Sequence, residues 1–227
     1  MAPAGFWKRC AAWTLDAAIL LPLTCMLAAS SLATMGAATT AAAQTLLNEV
    51  ASAMARLLEQ GSDPIGSALA LVHDPVLLQG SQALAAALTH GLQPVLITFA
   101  MLTGLFHVAF EQTRWRGTPG KRLLGIVVAD RAGAAPSLPL SLLRNGAGVL
   151  SWLSLNLGHA LAALPPEHRA LHDRIAGTRV LARHPGPMPQ WARIWLIAQA
   201  VLFVLACVGV SWWAQQALDA ALLRALG

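Results

Sequence analysis

Charge is scarce in this sequence. Asp, Glu, Lys and Arg together make up 11% of its 227 residues, whereas a soluble domain carries about 25%. So little solvating surface argues against an ordinary cytosolic enzyme. The high hydrophobicity excludes a disordered chain, which needs the opposite balance. Cysteine is scarce as well: Cys10, Cys25 and Cys207 are an odd number at unrelated spacings, so they close no disulfide framework. There is no CxxCH haem-attachment motif and no GxxxxGK[ST] phosphate loop. No Ser-His-Asp or paired-carboxylate spacing stands out. The chain therefore does not read as an enzyme, and no catalytic residue, cofactor or metal is assigned. What it has in abundance is apolar: 56% hydrophobic residues and a mean hydropathy of +0.59.

Four stretches are long and apolar enough to meet a bilayer, whose core takes about 20 residues of helix. They run over residues 11–35, 91–110, 138–164 and 194–214. Tryptophans, which favour the headgroup boundary, mark their edges. Trp7 and Trp13 flank the first, Trp115 follows the second, Trp191 and Trp195 open the fourth, and Trp212 and Trp213 close it. Asp16 and Pro22 interrupt the first stretch, so it reads as a retained helix and not a cleaved signal peptide.

Lys and Arg concentrate before the first stretch and on both sides of the third, while the segment 36–90 holds only Arg56 against four acids. By the positive-inside rule the N-terminus is cytoplasmic and residues 36–90 form an external insertion. The net charge of +5 is thus a topology signal, with no nucleic-acid partner implied. Both flanks of residues 138–164 want the cytoplasmic side, and 27 residues are too few for two spans at 1.5 Å per residue. A re-entrant or interfacial helical hairpin broken near Asn156-Leu157-Gly158 resolves this. Leu46, Leu47, Val50, Met54, Leu57 and Leu58 recur at helical spacing within the insertion, and Gly61 to Pro64 ends that helix. Ala68 to Leu78 is a further apolar patch. Leu123 to Ala129 reads as a strand able to pair with Thr178 to Ala182, and Pro185-Gly186-Pro187 as a stiff linker. The expected fold is an all-α membrane protein with three transmembrane helices, a re-entrant or interfacial hairpin and a small cytoplasmic β element. A membrane domain covers residues 1–182, and 183–227 add a linker, a helix and a helical tail.

Asp16 is the most informative residue, lying roughly 9 Å inside the first span. Buried charges in membrane helices face the protein and find a partner. Arg9 is about 10 Å away along the helix, so Arg144, His172 and Arg174 are the expected partners. Asp16 is either a proton- or cation-handling carboxylate or half of a pinned ion pair. His168 and His172 share a helix face, but the neighbouring arginines repel cations, and a juxtamembrane network or phospholipid contact reads better than a metal site. His107 and Glu111 share a face at the inner end of the second span, and His159 lies in the third stretch. The run Thr118-Pro119-Gly120-Lys121-Arg122 reads as a lipid-facing basic turn.

These pieces as a set resemble the RDD family of bacterial membrane proteins. Gly5-Phe6-Trp7-Lys8-Arg9 followed by Asp16 looks like its opening, and Thr118-Pro119-Gly120-Lys121-Arg122-Leu123-Leu124-Gly125 like its central motif. Leu142-Leu143-Arg144-Asn145 and the run from Leu171 to Thr178 resemble its later blocks. The name-giving arginine and aspartates map to Arg9, Asp16 and Asp173. The long insertion and the fourth apolar segment depart from a minimal member. The resemblance implies a multi-pass membrane protein with a suggested role in transport of unidentified ligands, and no settled activity or cofactor. The two functional expectations are a small-ligand or cation/proton exchange role at the bacterial inner membrane, and a non-catalytic scaffold or assembly subunit. Three spans enclose little, so the first needs a homo-oligomer or protein partner besides membrane lipid.

Overall fold

The computed structural model describes residues 1–61, 63–184 and 186–226. The chain falls into two compact units, one of Met1–Thr24 with Thr98–Gln199 and one of Cys25–Ile97 with the chain from Ala200 onward. Three helices, α1 (Phe6–Leu27), α4 (Pro75–Glu111) and α9 (Gln190–Leu226), contribute to both. Among the described residues these are the helices long and apolar enough to cross a membrane. The 22 residues of α1 make about 33 Å of helix, just sufficient for the hydrocarbon core. Over the most apolar stretches of α4 and α9 no residue is buried. Side chains such as Leu96, Met101, Leu105, Phe203 and Val210 stand exposed, as helices solvated by lipid require.

In the first unit a small antiparallel sheet of order β1-β3-β2 joins β1 (Ala2–Pro3), β2 (Ile126–Ala129) and β3 (Arg179–Ala182). The expected pairing is present, with Ile126 opposite Ala182 and Ala129 opposite Arg179. The β-branched run Ile126-Val127-Val128 suits a pleated, buried surface, and every residue of β2 is buried. Its core is Ile126, Val128 and Val180 packed with Ala4, Ala11 and Ala12. Two boundaries differ from expectation, β2 opening at Ile126 and β3 at Arg179. Leu123 ends a short helix, α5 (Pro119–Leu123), instead of opening the strand. The two-residue β1 has too little pattern to be seen in sequence.

The third apolar stretch is the helical hairpin its charges demand. Helix α6 (Leu138–Leu153) spans 16 residues, about 24 Å and short of a crossing. Leu155 and Asn156 then take left-handed backbone angles, and α7 (Leu157–Ala160) and a 3-10 turn (Leu161–Ala163) reverse the chain. The returning helix α8 (Leu171–Ile175) packs on α6. Leu153 and Leu155, at 76% and 89% exposure, crown the tip, which suits contact with lipid. Trp152, far from any expected membrane edge, packs at 6.3 Å from both Trp13 and Phe99.

In the second unit, the first apolar stretch breaks earlier than expected. Helix α1 stops at Leu27, and Ala28, outside the helical region, starts α2 (Ala29–Glu59). The residues up to Met35 therefore belong to α2, the long helix that carries the expected amphipathic set. Its end at Gln60 and Gly61 agrees with the expected break, of which Ser62 lies outside the described residues. The Ala68–Leu78 patch is not one element. Asp63-Pro64 and Asp74-Pro75 each start a helix, α3 (Pro64–His73) and α4. Each aspartate accepts backbone N–H bonds as an N-cap, and each proline sits where no N–H is needed. The expected linker after β3 includes Pro185, outside the described residues; α9 begins at Gln190.

Candidate functional site: a buried charge cluster

Six ionisable side chains from α1, α4, α5, α6 and α8 are brought together in the first unit, all buried but Arg9, which is partly exposed. Three are cations, Arg9, Lys121 and Arg144, and three are carboxylates, Asp16, Glu111 and Asp173. Asp173 is the most heavily held. It stands at the third position of α8, where its Oδ2 accepts the Ala170 N–H at 3.2 Å. Arg9 Nη1 donates to Oδ2 at 2.5 Å and Arg144 Nε to Oδ1 at 3.0 Å. Arg9 also donates to the carbonyls of His168 and Ala4, tying α1 to the hairpin exit. Burial opposes ionisation of Asp173, yet the Arg144 and Arg9 guanidiniums outweigh it and hold the carboxyl well below its usual range.

Arg144 reaches on from Asp173 to Glu111 at the C-terminal end of α4, with which it forms a second, close ion pair. Lys121 Nζ stands 3.4 Å from the same Glu111 oxygen, and Asn145 donates to the other at 3.4 Å. Glu111 is fully buried. Burial pulls the Lys121 ammonium below its usual value, more strongly than Glu111 raises it. These five groups form a continuous clamp, Arg9–Asp173–Arg144–Glu111–Lys121, each carboxylate shared by two cations. Removing one member of such a buried chain is costly because its partners stay buried without compensation.

Asp16 is placed differently. None of the cations expected for it is within reach. Its Oδ2 accepts the Thr118 hydroxyl proton, and its Oδ1 accepts the Gly120 N–H at 2.8 Å. The nearest titratable partner is His107 of α4, with Nε2 3.7 Å from Oδ2. His107 Nε2 is sealed from solvent and has no hydrogen-bond partner among the described residues.

The Thr118–Arg122 run is thus not a lipid-facing basic turn. Thr118 is the N-cap of α5, Pro119 its first residue, and Gly120 and Lys121 are buried. A backbone N–H at the start of this short helix, that of Gly120, is met by the Asp16 carboxyl. Gly120 is required by close approach: a Cβ there would collide with the Ala12 carbonyl oxygen and sit 2.9 Å from Asp16 Oδ1. Arg122 alone faces outward, its guanidinium 4.1 Å over the Trp115 ring.

Of the other expected residues, His172 borders the cluster, with Nε2 3.6 Å from Asp173 Oδ1 and its ring 5.1 Å from that of His159. Burial and the nearby Arg144 pull its pKa to about 3, so it is neutral. Arg174 is not in the cluster. One residue past Asp173 on α8, it points outward and bonds the Arg169 carbonyl of its own turn. Glu111 and His107 were visible as one helix face, but nothing marked Glu111 as the hub, since an acid at the end of a span reads as interfacial. Among the described residues no group of three or more His, Cys, Asp or Glu is placed to hold a metal.

Apolar helices of spanning length around a buried, charge-balanced cluster define a membrane protein of the helical class. The family model for the RDD family matches residues 3–177, and the chain belongs to that family. No curated protein and no solved structure matches it.

Proposed function

We propose that this protein moves a small cation against protons across the bacterial inner membrane, with Asp16 and His107 as the ionisable pair. One observation carries the reading: Asp16 is the only carboxylate of the cluster with no guanidinium or ammonium in salt-bridge reach among the described residues, and the group facing it is a titratable, unpartnered imidazole. Glu111 and Asp173 are each paired with Arg144 and with a second cation. Asp16 is held by neutral donors, so its charge can be answered in turn by a proton on the pair or by an incoming cation. The pair lies on two spanning helices, where an ionisable residue is a functional candidate by default. The protein works without a catalytic step, with its N-terminus cytoplasmic. Because three spans enclose little, it acts as a homo-oligomer or with a protein partner.

Reconstituted proteoliposomes carrying an internal pH dye test this. An imposed sodium or potassium gradient should change internal pH with the wild-type protein, and Asp16→Asn should abolish the change while the protein stays folded. Equal activity of the variant removes Asp16 from the mechanism.

The clamp favours a second reading, in which the cluster only fastens α1, the hairpin and α4, and the protein is a non-catalytic scaffold of a larger membrane complex. That reading requires a stoichiometric partner after purification in mild detergent, and no cation-dependent pH change in either protein.

A further inference from the structure

The clamp leaves over a set of arginines that no carboxylate answers. Every acid of the first unit is engaged elsewhere. Asp16, Glu111 and Asp173 lie in the cluster, Glu167 pairs with Arg169, and Asp130 accepts the Ala134 N–H within its own turn. Among the described residues no salt bridge reaches Arg114, Arg122 or Arg183, and all three are exposed.

Two of these arginines are fixed on one tryptophan. Trp115 stacks on Phe110, in the last turn of α4, with ring centroids 5.6 Å apart. That contact sets the indole where the spanning helix ends, the boundary such rings favour. The Arg122 guanidinium lies 4.1 Å over the same ring, and Arg183 Nη2 donates to the Trp115 carbonyl at 3.2 Å. Stacking holds a guanidinium plane in place and leaves its N–H edge free for the oxygens of a phosphate. Beside Arg122, Leu123 stands 65% exposed, an apolar side chain suited to acyl chains and not to water. Guanidiniums at the end of a spanning helix meet lipid headgroups by position, so the choice is only among lipids. Unanswered positive charge selects those with net negative charge.

We propose that Trp115, Arg122 and Arg183 form a docking site for the phosphate of an anionic phospholipid such as phosphatidylglycerol, with Arg114 adding to its field. The site is independent of the Asp16–His107 pair, since it moves no ion and needs no titrating group.

The test places the full chain in nanodiscs of phosphatidylglycerol and phosphatidylcholine in equal parts, and native mass spectrometry reads the lipids it retains. The wild-type protein should keep phosphatidylglycerol in excess. Arg122→Gln combined with Arg183→Gln should weaken that retention by about fivefold for each arginine, the worth of one basic side chain beside an anionic leaflet. Arg174→Gln combined with Arg179→Gln removes the same charge from exposed arginines of α8 and β3, and should leave the excess intact. The wild-type protein alone gives a second reading in detergent. Phosphatidylglycerol should raise its thermal midpoint, whereas phosphatidylcholine and the soluble headgroup glycerol 3-phosphate should not. Equal retention of both lipids by the wild type, an unchanged excess in the Arg122/Arg183 variant, or equal loss in the two double variants would overturn the site. Stabilisation by glycerol 3-phosphate matching that of the lipid would do the same, by showing a site for free phosphate esters.

Discussion

Arg144 Nε and Asp173 Oδ1 meet at 3.0 Å with both residues buried, and the other end of the same guanidinium pairs with Glu111. One side chain on the hairpin thus joins α8 to α4. Replacing Arg144 by Met takes one of its two cations from each of two buried carboxylates at once, leaving Asp173 to Arg9 and Glu111 to Lys121. The expected loss is about 3–5 kcal/mol, the usual result of breaking a buried pair from one side, read as a lowered thermal midpoint in detergent. Arg144→Lys should recover only part of it, because a single ammonium on a shorter fork cannot reach both carboxylates. A lysine variant as stable as wild type would show that the bridging geometry is unimportant.

Gly120 is the contact point between the central motif and α1. Gly120→Ala forces a methyl group against the Ala12 carbonyl oxygen and Asp16. We expect destabilisation of about 1–3 kcal/mol, the range for overpacking, together with loss of any Asp16-dependent activity. Gly104 of α4 is the control, since nothing lies within 4 Å of its Cβ position. Gly104→Ala should leave both thermal midpoint and activity unchanged; parallel behaviour of the two variants would contradict the close-approach argument.

Much of this architecture is legible in the sequence because membrane and sheet patterns are long or repetitive. The spans, the hairpin break near Asn156 and the pairing of Ile126-Val127-Val128 with Val180 follow from hydropathy, loop charge and β-branching. The site is harder. Asp16 stands out as a charge within an apolar run, but reasoning from charge looks for a cation, and its actual partners are a hydroxyl and a backbone N–H 102 and 104 residues away. Helical geometry separates Asp173 from Arg174: successive residues turn by about 100°, so one faces the cluster and the other solvent. Sequence proximity alone cannot choose between them.

His172 gives the fold a pH signature. Its folded pKa of about 3 lies below the ordinary value of 6.5, with Arg144, Arg9, His159 and Asp173 facing it. Above pH 6.5 the ring is neutral in folded and unfolded chains alike, and it contributes no pH dependence. Below that value the unfolded chain takes up a proton that the folded one refuses, so stability falls by about 1.4 kcal/mol per pH unit, until the folded pKa is reached. Asp173 adds nothing over most of this window, because its folded pKa is held so low that its own contribution is lost only as its unfolded partner protonates near the bottom of it. Thermal midpoints measured from neutral to mildly acid pH should drop for the wild type, and more gently for His172→Gln. Parallel curves would mean that His172 protonates freely in the fold.

The proposed threading makes a last, separable prediction. With Cys10, Cys25 and Cys207 replaced by alanine, a single cysteine is introduced at an exposed site of either unit. Thr45 and Arg179 serve, as both are exposed, whereas the neighbouring Val180 is buried in the sheet core. In intact cells a membrane-impermeant maleimide should label Thr45→Cys, and should label Arg179→Cys only after permeabilisation. The reasoning is electrostatic: Arg residues crowd the loops around β2 and β3, and positive loops stay on the cytoplasmic side. The Thr45 segment is nearly free of them. The reverse pattern would invert the protein in the membrane and place the Asp16–His107 pair near the outer boundary. Labelling of both sites without permeabilisation would put the sheet outside the cell as well, a threading that three spans with a non-crossing hairpin do not allow.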